Sequence, residues 1–357
     1  MEPQRLFGAA ASRFKPLRSR ALNDAALDQA EPVAPHLSAA TPGDYLALMK
    51  PRVMSLVVFT ALAGYVAAPG PGDLVLGFAS ILALACGAGA AGALNMWFDA
   101  DIDGKMRRTK ARPIPSGRVP REEALMLGLV ISGLSVLVMA LAGGWLAAGL
   151  LAFTIAFYAL VYTMWLKRRT PQNIVIGGLA GALPPAVAWA ANTGSLTLDP
   201  ILLVAIIFVW TPPHFWALCL YQKGDYAAAG VPMLPVTHGP KAARLQILGY
   251  AIALVPLAFA PALTGLGGWL YAGVAGSGGA LFLLLSARVA GSKAGEQGAV
   301  GDADLYLVQR GDKAARDLFA FSIAYLFMLF AALLVEHGAG LYRAFPWAPL
   351  RTLAGGV

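Results

Sequence analysis

Charge is what this sequence has least of. Asp, Glu, Lys and Arg make up 13% of its 357 residues, and 58% are hydrophobic. A soluble globular chain carries about 25% charged residues. Together with a mean hydropathy of +0.65, the shortage excludes an ordinary soluble domain and leaves a membrane protein. Cysteine is almost missing too. Cys86 and Cys219 lie singly in apolar runs, which excludes a disulfide framework or a cysteine-ligated metal. Histidine occurs four times, and no Ser–His–Asp or Cys–His arrangement is evident, so a covalent mechanism on a side-chain nucleophile is not expected. The net charge of +8 does not point to nucleic acid, because the basic residues are distributed by topology.

What is present is a series of apolar segments. Nine can be marked, at roughly 53–68, 74–97, 124–142, 145–166, 172–192, 200–220, 245–265, 268–290 and 317–336. Most approach the ~20 residues a helix needs to cross hydrocarbon. The expected fold is therefore all-α: a polytopic membrane bundle of nine transmembrane helices. Gly and Pro recur inside the segments, as in 177-GGLAGALPP-185, and helices in lipid use small residues to approach closely. Of the 27 Lys and Arg residues, 25 fall before segment 1 or in the loops after segments 2, 4, 6 and 8. The positive-inside rule makes that side cytoplasmic, with the N-terminus in and the C-terminus out. Residues 1–41 read as a disordered cytoplasmic tail, 42–340 as the membrane domain and 341–357 as a short tail on the periplasmic side. The expected location is a bacterial inner membrane. The Arg-rich first twenty residues are similar to a mitochondrial transit peptide, but Asp24, Asp28 and Glu31 weigh against a mitochondrial inner membrane.

Two polar clusters stand at segment ends on the basic side. Segment 2 ends in 95-NMWFDADIDGKMRRTKARP-113. Asn95, Asp99 and Asp103 are spaced i, i+4, i+8 and share one face if the helix continues; Asp101 points elsewhere. Hard oxygen ligands in a row suit Mg²⁺, which completes its shell with water and phosphate oxygens. Arg107, Arg108, Lys110 and Arg112 follow directly, and guanidinium groups grip phosphate bidentately. Solvated loop charges are the plain alternative for the basic residues, but three acids within five positions repel unless a cation relieves them. Segment 6 ends in 210-WTPPHFWALCLYQKGDY-226, where Tyr221 and Asp225 repeat the i, i+4 spacing beside Lys223. Two related halves, each giving one cluster, would face each other across a metal–diphosphate site. His214 lies about two turns before that cluster. A polar group at that depth is costly and becomes a functional candidate, as a ligand contact or as a tie to a neighbouring helix. Pro212 and Pro213 are expected to kink the segment and open room for a flat acceptor. Trp97, Phe98, Tyr158 and Tyr162 are candidate cation–π partners near the site, with plain packing as the alternative for each.

At these residues the sequence resembles the membrane-embedded, UbiA-like prenyltransferases, through Asn95, Asp99 and Asp103 followed by R-T-x-x-R-P at 108–113. Within them it resembles the protohaem IX farnesyltransferase (haem O synthase) branch. That narrower resemblance rests on 49-MKPRVMSL-56, 162-YTMWLKRRTPQNIVIGGLAGALPP-185, and W-T-P-P-H-F-W-A-L followed by D-Y-x-x-A-G-V-P-M-L-P. Other members carry a second D-x₃-D motif; Tyr221 stands at its first position here, which favours this branch and bars a carboxylate role for that residue. The resemblance covers about residues 42–336. It implies a bundle around a central cavity with the site at the cytoplasmic face, farnesyl diphosphate as donor, Mg²⁺ as cofactor and haem b as acceptor. The product, haem O, would feed haem A synthase or terminal oxidase assembly. On the same ground Asn95, Asp99, Asp103 and Asp225 are the expected catalytic and metal-binding residues. Lys50, Arg52, Arg108, Arg112, Tyr221, Lys223 and His214 are the expected substrate-binding set. A prenyltransferase for an aromatic acid or quinone precursor shares the first motif and is the nearest rival. A transporter would show charge deep in the spans.

Overall fold

The chain divides into residues 1–38 and 39–357. The computed structural model describes residues 40–70, 72–296 and 310–346, all of them in the second unit. Most of the expected N-terminal tail therefore lies outside the described residues.

The described residues are helical, with one isolated bridge between Gly268 and Ala344. In order come α1 (Pro42–Leu48), α2 (Pro51–Ala67), α3 (Leu74–Phe98), the short α4 (Ala100–Asp103) and α5 (Arg121–Ala156). A π-helix (Phe157–Trp165) and a 3₁₀ turn (Leu166–Arg168) extend α5. Then follow α6 (Asn173–Ala182), α7 (Pro184–Thr193), α8 (Leu198–Tyr221), α9 (Lys223–Ala228) and α10 (Leu234–Thr237), and finally α11 (Gly239–Thr264), α12 (Trp269–Ala290) and α13 (Lys313–Gly338). Among the described residues seven helical segments are long and apolar enough to cross a membrane, counting Arg121–Arg168 and Asn173–Thr193 as one each; α1 and α2, bent by 55°, make an eighth if taken together. This is a multi-pass membrane protein.

Two features of the nine expected segments change. Segments 3 and 4 merge into one 48-residue helical segment, Arg121–Arg168. Inside it Gly144 has φ 81° and ψ 172°, a backbone only glycine adopts readily. On one side of that break Gly128 packs on Leu94 and Gly143 faces Ser80; on the other, Leu151 and Ile155 meet Gly87, and Thr163 reaches Asn95. The first stretch thus runs against α3 and the second runs along it. The fifth expected segment is divided at Leu183 into α6 and α7, because Pro184 and Pro185 cannot donate to the preceding turn. By contrast, α8 continues through Pro212 and Pro213.

Small residues explain how α3 packs: Ala83, Gly87, Gly89, Ala90, Ala91 and Ala93 are all buried, which lets backbones approach. The ends of the bundle sort accordingly. Asn192 bonds the backbone of Tyr65 and Gly72 at one end (2.9 and 3.2 Å). Thr264 donates to Asp199 at the junction of α11 and α8 (2.8 Å). Buried Glu336 accepts from the amides of Gly268, Leu270 and Tyr271 (2.7, 2.8 and 3.1 Å), capping α12 from the end of α13. The C-terminal segment is tied there too, Trp269 donating to the Arg343 carbonyl (3.1 Å).

Candidate active site

The helix of α3 continues past its end, with Asp99 N–H donating to Asn95 O and Asp103 N–H to Asp99 O (2.9 and 2.8 Å). The i, i+4, i+8 row therefore holds. Asn95, Asp99 and Asp103 are each at most 4% exposed, whereas the Asp101 side chain is 52% exposed.

Each buried acid meets a cation from elsewhere in the chain. Asp99 pairs with Lys167 and lies 3.5 Å from Arg168. Asp103 accepts from Arg112 Nη1 (2.6 Å). Asn95 accepts from Lys50 Nζ (2.6 Å) and donates to Asp99 (2.7 Å) and Thr163 (3.1 Å). Lys50 is the only described non-glycine residue with positive φ (52°). That left-handed joint between α1 and α2 turns its side chain onto α3. Arg168 bonds both oxygens of Asp101 (2.8 and 2.7 Å) and lies over the Phe98 ring (4.7 Å); its guanidinium holds the Asp101 carboxyl below the usual carboxylate range.

The other expected residues are placed less uniformly. Asp225 is buried in α9 and Lys223 opens that helix. Tyr226 beside it is buried, which pushes its hydroxyl up against the pull of Arg108. Arg108 itself is exposed yet acts on this second cluster, so the first loop reaches the second. Tyr221 stands edge-on to Phe319 (6.1 Å). Arg52 is exposed and forms no ion pair among the described residues. His214 is stacked between Trp210 and Phe319 (4.2 and 4.6 Å), with Nδ1 2.6 Å from Ser322 Oγ. Nδ1 thus ties α8 to α13 through Ser322, and the His214 ring also lines a cavity.

Sequence reasoning counted Lys167 and Arg168 for topology alone and passed over Thr163. A signal was available: Lys167, Arg168 and Arg169 end segment 4, which is two passes after segment 2 and so reaches the same face.

A divalent cation fits these residues. Asp99 Oδ1 and Asp103 Oδ1 are buried without a hydrogen-bond partner. Among the described residues no three His, Cys, Asp or Glu side chains converge enough to hold a metal alone. A cation held by Asp99 and Asp103 would take the rest of its shell from water and substrate phosphates. Below the cluster lies an apolar cavity of about 290 Å³ reached by Tyr158, Tyr162, Trp210, His214 and Phe215. Of the four aromatics expected around a cation, Tyr158 and Tyr162 line it, whereas Trp97 packs on the Leu48–Met96 cluster and Phe98 lies under Arg168.

The fold resembles a digeranylgeranylglyceryl phosphate synthase structure (TM-score 0.65, 17% identity, 82% of this chain and 97% of that one). It also resembles a UbiA homologue from Archaeoglobus fulgidus bound to GPP and Mg²⁺ (TM-score 0.58, 16% identity, 81% and 99%). In sequence the chain is 63% identical over 310 residues to the protoheme IX farnesyltransferase of Maricaulis maris, covering 87% of this chain and 94% of that one. It is 61% identical over 326 residues to that of Caulobacter sp. (88% and 94%). The sequence model of the UbiA prenyltransferase family matches residues 56–301, which include both acidic clusters and the cavity helices between them. This chain belongs to the UbiA prenyltransferase family.

Proposed function

We propose that the chain transfers a farnesyl group from farnesyl diphosphate to a vinyl group of haem b, with addition of water, giving haem O and diphosphate. The observation that carries this reading is the stacking of buried anionic and cationic groups directly above an apolar, aromatic-lined cavity, in a chain about 60% identical to protoheme IX farnesyltransferases.

Asp99 and Asp103 would hold Mg²⁺ with Asn95 beside them, and Asp225 from the second cluster would act on it through water or the diphosphate. The bound ion would supply positive charge to the diphosphate oxygens. Lys50, Lys167, Arg108 and Arg112 supply the rest, and Lys223 and Tyr221 flank the second cluster. Lys167, Lys50 and Arg112, already held by Asp99, Asn95 and Asp103, would stabilise the leaving diphosphate with little reorganisation. As the C1–O bond breaks, C1 becomes cation-like, and the rings of Tyr158 and Tyr162 face the space where it forms. The terminal vinyl carbon bonds to C1, positive charge moves to the carbon beside the porphyrin, and water adds there with loss of a proton. Apolar walls keep water from the earlier cation. His214 lines the acceptor end of the cavity. Arg52, exposed at the start of α2, keeps at most a surface role toward the donor.

Nine membrane passes are supported by the reversal at Gly144, which makes two spans of the 48-residue segment. With 25 of 27 basic residues on the side of the cluster, the site faces the cytoplasm, the N-terminus lies inside and the membrane is the bacterial inner membrane. Residues 42–340 form the catalytic domain.

The test is the haem extracted from membranes with and without this chain. Expression should convert haem b into a pigment heavier by one farnesyl group plus water. An unchanged pigment, with a prenylated aromatic acid in its place, would refute the acceptor.

A further inference from the structure

Two cavities meet beneath the charged cluster, and their chemistry differs. The one already described is aromatic. The second, about 170 Å³, is aliphatic apart from Tyr158 and Thr154, and the Thr154 hydroxyl is engaged by the Leu150 carbonyl (2.7 Å). Val53, Val57, Tyr158 and Gly181 line both, so the lobes open into one another. At Gly181 a Cβ would meet nothing within 4 Å, so the junction is open space.

The aliphatic lobe runs along α3 away from the site. Ala91 lies one turn from Asn95, Ala88 lies about halfway, and the deepest lining residues are Leu84, Leu151 and Val187, each at most 2% exposed. Leu84, Leu151 and Val187 belong to one buried cluster with the fully buried Met139 and Ala147, so the lobe meets packed side chains at this level. Leu84 is eleven residues from Asn95, about 16 Å along the axis at 1.5 Å per residue. An isoprene unit adds four chain bonds of about 1.5 Å each, roughly 5 Å in zigzag, so three units span roughly 15 Å.

We propose that this lobe gauges the length of the prenyl donor, with Leu84 and Leu151 as the floor that admits three isoprene units and stops a fourth. The proposal rests on the reading of the chain as a prenyltransferase with its diphosphate at Asp99 and Asp103. It assigns the flat, aromatic lobe to the acceptor and the narrow lobe to the chain, because a flexible aliphatic tail gains most from a slot lined by small and branched side chains. Shortening the floor should lengthen the gauge; filling the lobe at Ala88 should shorten it.

The experiment is displacement of labelled farnesyl diphosphate from the purified full chain, with Mg²⁺ and no acceptor, by the diphosphates of two, three and four isoprene units. Wild type should bind the three-unit donor at least about tenfold more tightly than the four-unit one. Leu84→Ala and Leu151→Ala should each bring the two within about threefold. Ala88→Leu, which adds volume to open space and opens no cavity, should invert the order of the two- and three-unit donors. If all three variants bind the three-unit donor with the wild-type order of preference, the gauge lies elsewhere and the proposal fails. If wild type binds none of the three diphosphates, the transferase reading fails, and the gauge with it. Acceptor identity does not enter this measurement, so an error about haem would leave its outcome untouched.

Discussion

Asp99 is fully buried, and its partner Lys167 keeps only 12% of its side chain exposed. Breaking a buried pair costs about 3–5 kcal/mol, because the remaining charge is stranded, whereas removing both partners is often neutral. Asp99→Asn should therefore destabilise the bundle by about 3 kcal/mol, the low end, since the amide oxygen still accepts from Lys167. Lys167→Met should cost less, because Asp99 keeps Arg168 at 3.5 Å and the Asn95 amide at 2.7 Å. The double variant should return to within about 1 kcal/mol of wild type. Function should not follow stability. Mg²⁺-dependent binding of farnesyl diphosphate should be lost in Asp99→Asn and stay lost in the stable double variant. Thermal unfolding in detergent and a Mg²⁺ titration of donor binding read the two quantities separately. Additive stability losses would show that the pair does not act as a unit. Full Mg²⁺-dependent binding in the double variant would remove Asp99 from the metal site.

Arg108→Lys and Arg112→Lys should each weaken donor binding by about tenfold, because a planar fork becomes a point charge; wild-type donor affinity in both would leave these residues to topology alone. His214→Ala removes a ring held by Trp210, Phe319 and Ser322. It should weaken haem binding and alter the bound pigment's visible spectrum while donor affinity stays unchanged, and an unaltered spectrum with unaltered acceptor affinity would make His214 a helix tie.

The acidic row was legible because helix periodicity is local. Asn95, Asp99 and Asp103 share a face, and Asp101 does not, whatever the rest of the chain does. The face that Lys167 and Arg168 reach was legible from topology, but the acid each one meets was not, since it lies 67 or 68 residues away. The break between the third and fourth segments was placed at residues 143–144 although no polar loop marks it, and the backbone leaves the helix at Gly144. Nor did spacing separate Arg52 from Lys50. The left-handed backbone at Lys50 sends one cation to Asn95 and leaves its neighbour on the surface.

The reversal at Gly144 bears on how the protein is made. A loop rich in charge must be carried across the bilayer by the insertion machinery. Here the tip holds no charge between Ala142 and Leu146, and Leu141 and Trp145 project from it, 78% and 85% exposed. On the nine-pass reading proposed above, such a tip would carry no charge across the bilayer, and Trp145 would give the hairpin an aromatic anchor at the interface. The second arm ends in Lys167 and Arg168, which meet Asp99 and Asp101 beside the end of α3.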